Sequence, residues 1–537
     1  MKSMLRVLDN LSIPEHAGGW VLLVLPACFM AAAFWLRAQG GPAWLWFNLD
    51  PDYYYLLDAL NVLNMTTPGH VYHPGTTLHW LGALILKVAY LGADAKIIIA
   101  AVLNDPEHHL RLIGGVFVLL NGLAVLALGW AGYRVSGSLP PALLLQLAPG
   151  ISMLVLKSAF HVKPEALLLA STLVLAMVAV LSLKDQCLNR HPLRFAIAFG
   201  VVAGFGIATK ITAAPVFALP VLVLYGAGIR AVIVYGGVAL AALIVFTLPA
   251  LAAYGVFFDW MATVSQGSGA YGGGDAFDWA VYLKNILKLF KRPAFSVVFV
   301  LSGVALVWAA VRHRQARPLP GGEVRLLAGI WIAQGLHVLM VAKQPNVLYM
   351  LPSFVLIPLA IVVLFRLVEV WESGFGRTAF IILLALMIVA EGAGIFRFAK
   401  GVKADANIAR AADNGRFGRC ARVYSYAASS PSYALFLADF VTGARFSEQL
   451  EKQGPDNDFW LEHYFDQRRV VFRDWQGPQD MKAVLGRYPC VIFRGSHWWV
   501  TEPLLQKVVP GLSFDGDCST RHETIKTKGV DCLGTLQ

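Results

Sequence analysis

Acids, imidazoles and amines gather at four places in this 537-residue chain. The first reads Asn48-Leu49-Asp50-Pro51-Asp52-Tyr53-Tyr54-Tyr55, then Asp58, then Gly69-His70-Val71-Tyr72-His73-Pro74-Gly75-Thr76-Thr77. The second is Lys157-Ser158-Ala159-Phe160-His161-Val162-Lys163-Pro164-Glu165, the third is Lys210 closing the glycine-containing run Gly204–Thr209, and the fourth runs from Lys343 through Tyr349 to Pro352. Each interrupts or borders an apolar run, where an ionisable residue costs a few kcal/mol and is by default a functional suspect. A single Lys at a helix end snorkels to the interface. Recurring lysines beside acids suit a phosphate or pyrophosphate group, for which Lys is an effective point charge.

The elements that must hold these residues are set by composition. The chain is 57% hydrophobic and only 14% charged, with mean hydropathy +0.60, against about 25% charged residues in soluble domains. Runs long enough to cross a bilayer as helices recur near 18–38, 76–93, 112–133, 139–157, 165–183, 195–209, 213–225, 231–251, 295–311, 326–342, 347–367 and 378–396. The expectation is a polytopic α-helical membrane protein of about 11–13 spans over residues 1–398, followed by a small soluble α/β domain over 399–537. The first run is read as a span, being long, without a clear small-residue cleavage site and followed by further apolar runs.

The net charge of +11 does not point to nucleic acid. Its basic residues sit in short connections: Lys2 and Arg6; Lys184, Arg190 and Arg194; Arg312, Arg314, Arg317 and Arg325. That bias places those connections in the cytoplasm. It puts loops 39–75 and 252–294, the turn 343–346 and the tail outside, on the periplasmic side of a bacterial inner membrane. Twelve crossings from an inner N-terminus would leave the tail inside, so one run between 76 and 183 does not cross. The proline-broken run 139–157 is the candidate.

In the first loop, segment 52–63 carries Tyr54, Leu57 and Leu60 at helical spacing and reads as an amphipathic helix in the interface, holding acids at headgroup depth. Asp50 as a helix cap and the tyrosines as an aromatic belt fit the same spacing. In the second, the glycine-rich stretch 265–275 reads as a lid or as a plain connection, and Trp279 to Phe290 as an interfacial helix. In the tail, Ala421–Tyr426, Arg469–Phe472 and Val491–Phe493 read as strands and 432–441, 479–486 and 501–509 as helices. Its four cysteines favour disulfides Cys420–Cys490 and Cys518–Cys532 in an exported domain. Arg494 to Trp499 is a candidate carbohydrate-contacting edge, and core packing of the tryptophans is its rival.

Taken in order, these stretches resemble the GT-C membrane glycosyltransferases, in particular the protein O-mannosyltransferase and lipid A aminoarabinose transferase branch. Asp50-Pro51-Asp52-Tyr53-Tyr54 resembles the family's first-loop acidic motif, His73-Pro74-Gly75-Thr76-Thr77-Leu78 stands where Lys-Pro-Pro-Leu is usual, and Lys163-Pro164-Glu165 resembles its Arg-Pro-Asp element. Gly204 to Lys210 is similar to its Gly-rich approach to Thr-Lys, and Lys343 to Pro352 to its Lys-x-x-Arg-Tyr-x-x-Pro stretch, with Val347 and Leu348 where the Arg would be expected. The resemblance implies inverting transfer of a sugar from a polyprenyl-phosphate donor to a glycan, lipid or protein acceptor. It implies Asp50, or else Asp52, as general base, and Glu165 as a second acidic site residue. His73, Lys163, Lys210, Lys343, Tyr349 and Tyr53 are the expected substrate contacts. A divalent metal on Asp50, Asp52, His70 and His73 is an alternative to a metal-free site. A transporter or flippase is the alternative function, although the inverted repeats expected of one are not seen in the sequence.

Overall fold

The computed structural model describes residues 19–45, 52–184, 187–267, 278–315, 319–367, 374–411, 415, 417–463, 470–496 and 498–533. Asp50, the stretch 268–275, Arg469 and His497 lie outside the described residues. Among those described, nine helices are long and apolar enough to cross a membrane, and a small mixed sheet follows them.

Helix α1 (Val21–Gly40) leads to α2 (Asp52–Leu63), α3 (Thr76–Ala89) and α4 (Ala95–Asn104), and α5 (Pro106–Ser136) returns through the bundle. A broken passage, α6 (Leu139–Gln146), a 3-10 turn and α7 (Met153–Ser158), leads to α8 (Pro164–Ser182). Then come α9 (Pro192–Thr209), α10 (Leu219–Tyr225), α11 (Ile229–Thr247), α12 (Tyr254–Gln266), α13 (Trp279–Leu289), α14 (Pro293–Arg314) and α15 (Gly321–Val341). Helices α16 (Leu351–Val355), α17 (Ile357–Leu367) and the 38-residue α18 (Gly374–Ala411) complete the bundle. Helix α8 is its centre, with 78% of its apolar window buried, whereas α14 and α18 are only 22% and 11% buried over theirs. Ile233, Leu240, Val300, Val304, Val307, Leu386 and Val389 on the outer helices stay exposed, as side chains facing lipid would.

The two ends of the bundle are defined by polar contacts. At one end Arg366 Nη2 meets Glu323 Oε1 at 2.8 Å, Gly226 lies against Arg325, and Gly322 against Leu183. The connection after α8 and the connection before α15, both read as cytoplasmic, thus share one end, while Lys2 and Arg6 lie outside the described residues. At the other end the Glu107 carboxylate accepts from Ala43 N and Tyr53 Oη, both at 2.8 Å. The Tyr72 ring lies tilted against Trp260, with ring centres 5.1 Å apart, and Lys343 donates to the Ser265 carbonyl.

Helix α3 corrects the expectation about run 76–93. Its first turn meets the end of α9, where Thr77 Oγ1 lies 2.7 Å from Thr209 Oγ1. At its far side Tyr90 Oη bonds His109 Nε2 at 2.8 Å, two residues from Glu107. Both ends therefore belong to the same end of the bundle, and fourteen residues span only about 21 Å as a helix, short of the roughly 30 Å apolar core. Run 76–93 is the one that turns back, while 139–157, though broken, connects Ser136 at one end to His161 at the other. Segment 52–63 also differs from the interfacial helix expected: Tyr53, Tyr55, Leu56, Leu57, Asp58, Ala59, Leu60 and Asn61 are all buried. Helix α2 is enclosed on every side rather than floating on one face.

Residues of α3, α4, α5 and α8 cover part of α2, and the tail covers the rest with Ala434, Ala438, Phe446 and Leu450. Its sheet has strand order β4-β3-β2-β1-β5-β7-β6, built from β1 (Ala421–Tyr424), β2 (Asp458–His463), β3 (Val470–Asp474), β4 (Gly477–Pro478), β5 (Val491–Gly495), β6 (Gly516–Asp517) and β7 (Thr524–Lys528). Strand β1 pairs parallel with both β2 and β5, and the outer strands are antiparallel. Helices α19 (Pro431–Val441), α20 (Met481–Arg487) and α21 (Trp498–Val508) flank it, close to the segments read from sequence. Both expected disulfides are present, Cys420–Cys490 and Cys518–Cys532. The tail grips the first loop where Asn61 Nδ2 donates to Thr442 O at 3.0 Å and Arg445 donates to Thr67 O. Gly69 backs onto the Thr442 backbone so closely that a Cβ there would lie 2.4 Å from its carbonyl carbon. Helix α18 runs through residue 398, and Arg494 Nη2 reaches its Ala409 carbonyl at 3.3 Å. Arg494 is itself buried against Glu523 at 2.8 Å, so Arg494 to Trp499 is not one open edge. Trp498 packs near Phe514 and Trp499 is exposed.

Candidate functional site

The short segment between α7 and α8 supplies the centre of the site. Pro164 occupies the first helical position of α8, a place that suits its fixed φ and missing N–H, and Lys163 before it is extended at φ −135° and ψ 158°. That geometry fixes His161, Lys163 and Glu165 on one short stretch at the mouth of the most buried helix. Two of them meet partners from other elements. His161 Nδ1 lies 2.7 Å from Asp52 Oδ2 at the start of α2, the residues being 1% and 3% exposed. Glu165 Oε1 accepts from Lys210 Nζ at 2.5 Å.

Lys210 is held from both sides. Its backbone forms an antiparallel bridge with Pro74, and the next amide, Ile211 N, donates to His73 O at 2.9 Å. Its ammonium stands 4.4 Å from the centre of the Tyr349 ring, a cation–π contact. The first loop, the end of α9 and the 347–352 stretch thus meet at Lys210, the first through backbone and the last at its ammonium. Gly75, at φ 73°, makes the turn that brings His73 back: a Cβ there would sit 3.0 Å from Tyr55 Cε1, and left-handed backbone favours glycine.

A second layer of rings lies behind. Tyr55 is surrounded by His70, His73 and His79, with ring centres 5.3, 5.8 and 5.5 Å away, and its hydroxyl contacts His73 Nε2. Burial pushes the His73 imidazole well below its ordinary pKa, with nearby His70 and Lys210 adding to the effect. Burial likewise holds His79 low, so its 3.6 Å approach to Asp58 is not an ion pair. Asp58 accepts from Gly69 N and His70 N at 2.8 Å and from Asn61 Nδ2 at 2.9 Å. This side chain ties helix α2 to the strand-like segment carrying the histidines. Burial nevertheless pushes its carboxyl up to about 7, against the pull of those hydrogen bonds.

Of the residues singled out from sequence, Asp52, Glu165, Lys210 and Tyr349 are placed in two neighbouring clusters, with Lys163 between them in the chain and His73 against Lys210. Tyr53 points elsewhere, donating to Glu107. Lys343 donates to the Ser265 carbonyl. Asp50 lies outside the described residues. Among those described, no three His, Cys, Asp or Glu side chains are gathered to hold a metal ion. Asp52 is paired with His161, while His70 and His73 stand around Tyr55, so the combination considered for a divalent ion is not assembled by these three. His161 was only part of a charged cluster in the sequence. Its alternation with Lys163 and Glu165 is the signal that it shares their site.

Two buried atoms in the first pair, Asp52 Oδ1 and His161 Nε2, have no hydrogen-bond partner among the described residues. Buried polar atoms are nearly always satisfied, and those that are not mark a strained, catalytic or ligand-completed place. Comparison with protein-family models and with curated proteins finds no match to the chain.

Proposed function

We propose that this chain is a membrane-embedded glycosyltransferase that moves a sugar from a polyprenyl-phosphate carrier to an extracytoplasmic glycan, lipid or protein. The observation that carries the reading is the convergence of the buried Asp52–His161 and Glu165–Lys210 pairs at one end of an apolar bundle. A lipid-linked donor brings a sugar and a phosphate to that depth together. The first pair can take a proton from the attacking hydroxyl, an effect worth about 10²–10⁴-fold. The Lys210 ammonium, with Lys163 two residues from its partner Glu165, can neutralise the departing phosphate as its charge grows.

The topology agrees. Once α3 is taken as a helix lying along the outer face, eleven runs remain and an inner N-terminus leads to an outer tail. The disulfides of that tail suit an oxidising compartment such as the bacterial periplasm. The lipid-facing helices make membrane lipids its constant partners.

The test is transfer from a panel of radiolabelled polyprenyl-phosphate sugars in membranes containing the wild-type chain, Asp50→Asn, Asp52→Asn or Lys210→Met at matched expression. Transfer by the wild type that falls at least about a hundredfold in Asp52→Asn and Lys210→Met supports the reading. Transfer from no donor returns the chain to the transporter alternative, and loss in Asp50→Asn alone moves the base to that residue.

A further inference from the structure

We infer that the proton-accepting atom of the site is His161 Nε2, with Asp52 acting as the carboxylate that positions the imidazole. The inference rests on the transfer reading above and names which atom of the first pair touches the acceptor.

The hydrogen-bond arithmetic of the pair gives the assignment. An ionised carboxylate only accepts, so the 2.7 Å bond from His161 Nδ1 to Asp52 Oδ2 places the ring proton on Nδ1. The other nitrogen then carries a lone pair. It is buried with no partner among the described residues, on a side chain 1% exposed; His79 and His337 share that state, and what sets His161 apart is a carboxylate 2.7 Å from its other nitrogen. Asp52 Oδ1 is likewise without a partner among the described residues, but its Oδ2 is committed to the ring, which makes the carboxylate the group that orients the imidazole. Burial pushes the His161 imidazole down to about 4, which keeps it neutral and able to accept at neutral pH.

Position supports the same choice. His161 and Glu165 are four residues apart, so their Cα atoms lie within roughly 14 Å even at full extension, and Glu165 holds Lys210. The base and the amine are thus tied to the two ends of one short segment. In the step inferred, the acceptor oxygen forms its bond to the anomeric carbon as its proton passes to Nε2. The bond from that carbon to the carrier phosphate breaks, and its electron pair stays on the phosphate oxygen beside Lys210. Atoms and charge balance without a metal or a redox partner. Asp52 stabilises the imidazolium formed, as carboxylates do behind a histidine base.

Two variants test the assignment. His161→Asn keeps an N–H where Nδ1 stood, preserving a donor to Asp52, and removes Nε2. His161→Gly opens space for free imidazole. The expected result is a His161→Asn protein that melts close to wild type, binds the donor with unchanged KM, and transfers about 10²–10⁴-fold more slowly. His161→Gly should regain transfer in proportion to added imidazole. Wild-type transfer matched by His161→Asn, or a His161→Gly protein that stays folded and is not rescued, overturns the role of His161 and leaves the transfer reading standing. A wild-type chain inactive with every donor removes both.

Discussion

Glu165 and Lys210 show why single residues in this site are costly to change. Each sits in low-dielectric surroundings at 5% and 10% side-chain exposure, where removing one partner leaves an uncompensated charge and costs about 3–5 kcal/mol. Glu165→Gln and Lys210→Met should each lower the melting temperature of the detergent-solubilised protein strongly, and the double variant by less than their sum. Strictly additive losses in that cycle would mean the two do not interact. The sequence exposes such residues through chemical type, since a Lys or Glu beside an apolar run stands out. It does not expose their partners. Asp52 meets His161 across 109 positions, and Tyr53, next to Asp52, is turned to Glu107 because adjacent helical positions point about 100° apart. Lys343 had the same credentials as Lys210, yet its turn leads it to Ser265.

At the scale of elements, run length was the misleading quantity. The apolar stretch 76–93 is compositionally a span, but hydropathy does not record where a helix ends, and Gly92 at φ 86° with the Tyr90–His109 contact turns the chain back. Leu91 is 85% exposed. In intact spheroplasts Leu91→Cys should react with a membrane-impermeant maleimide, as should Trp499→Cys in the tail. Labelling of Leu91→Cys only after lysis would restore the crossing. The loop's internal clamp, Asp58, makes a separate prediction. Its folded pKa of about 7 lies above the unfolded value near 3.9, so the folded state keeps a proton that the unfolded chain releases. The contribution is complete below about pH 4 and is lost as pH rises through 7, each unit being worth about 1.4 kcal/mol. Asp58→Asn removes that titration and also turns an amide N–H toward the donors at Gly69 and His70. The variant should be less stable than wild type in acid, with a gap that narrows toward pH 8. A gap independent of pH would show that Asp58 titrates normally.

For the whole molecule, the tail was the most legible part. Short β-branched and aromatic runs between turns mark three of its seven described strands, β1, β3 and β5, and an even count of cysteines its two bridges; β2 and β7, flanked by polar residues, and the two-residue β4 and β6 are not legible in that way. Its docking on α2 was not legible, since the contacts at Asn61, Thr442 and Arg445 are ordinary surface residue types in either partner alone. The Cys420–Cys490 bridge closes a 70-residue separation, and replacing both cysteines by Ala should cost about 4 kcal/mol by chain entropy. Differential scanning calorimetry of the variant should show the tail melting earlier, and an unchanged transition would assign the bridge no stabilising part. Helix α18 has a further consequence. At 38 residues it is about 57 Å long, nearly twice the apolar thickness of a bilayer, and its far end is fastened to the sheet through Arg494 and through Asp405 with His522. Through Thr442 and Arg445 the same domain is also fastened to Asn61 of α2 and to Thr67 just after it. The last helix is therefore a mast and the tail a boom stayed at two points, so that a change in the tilt of α18 would act as a pull on α2, the helix that carries Asp52.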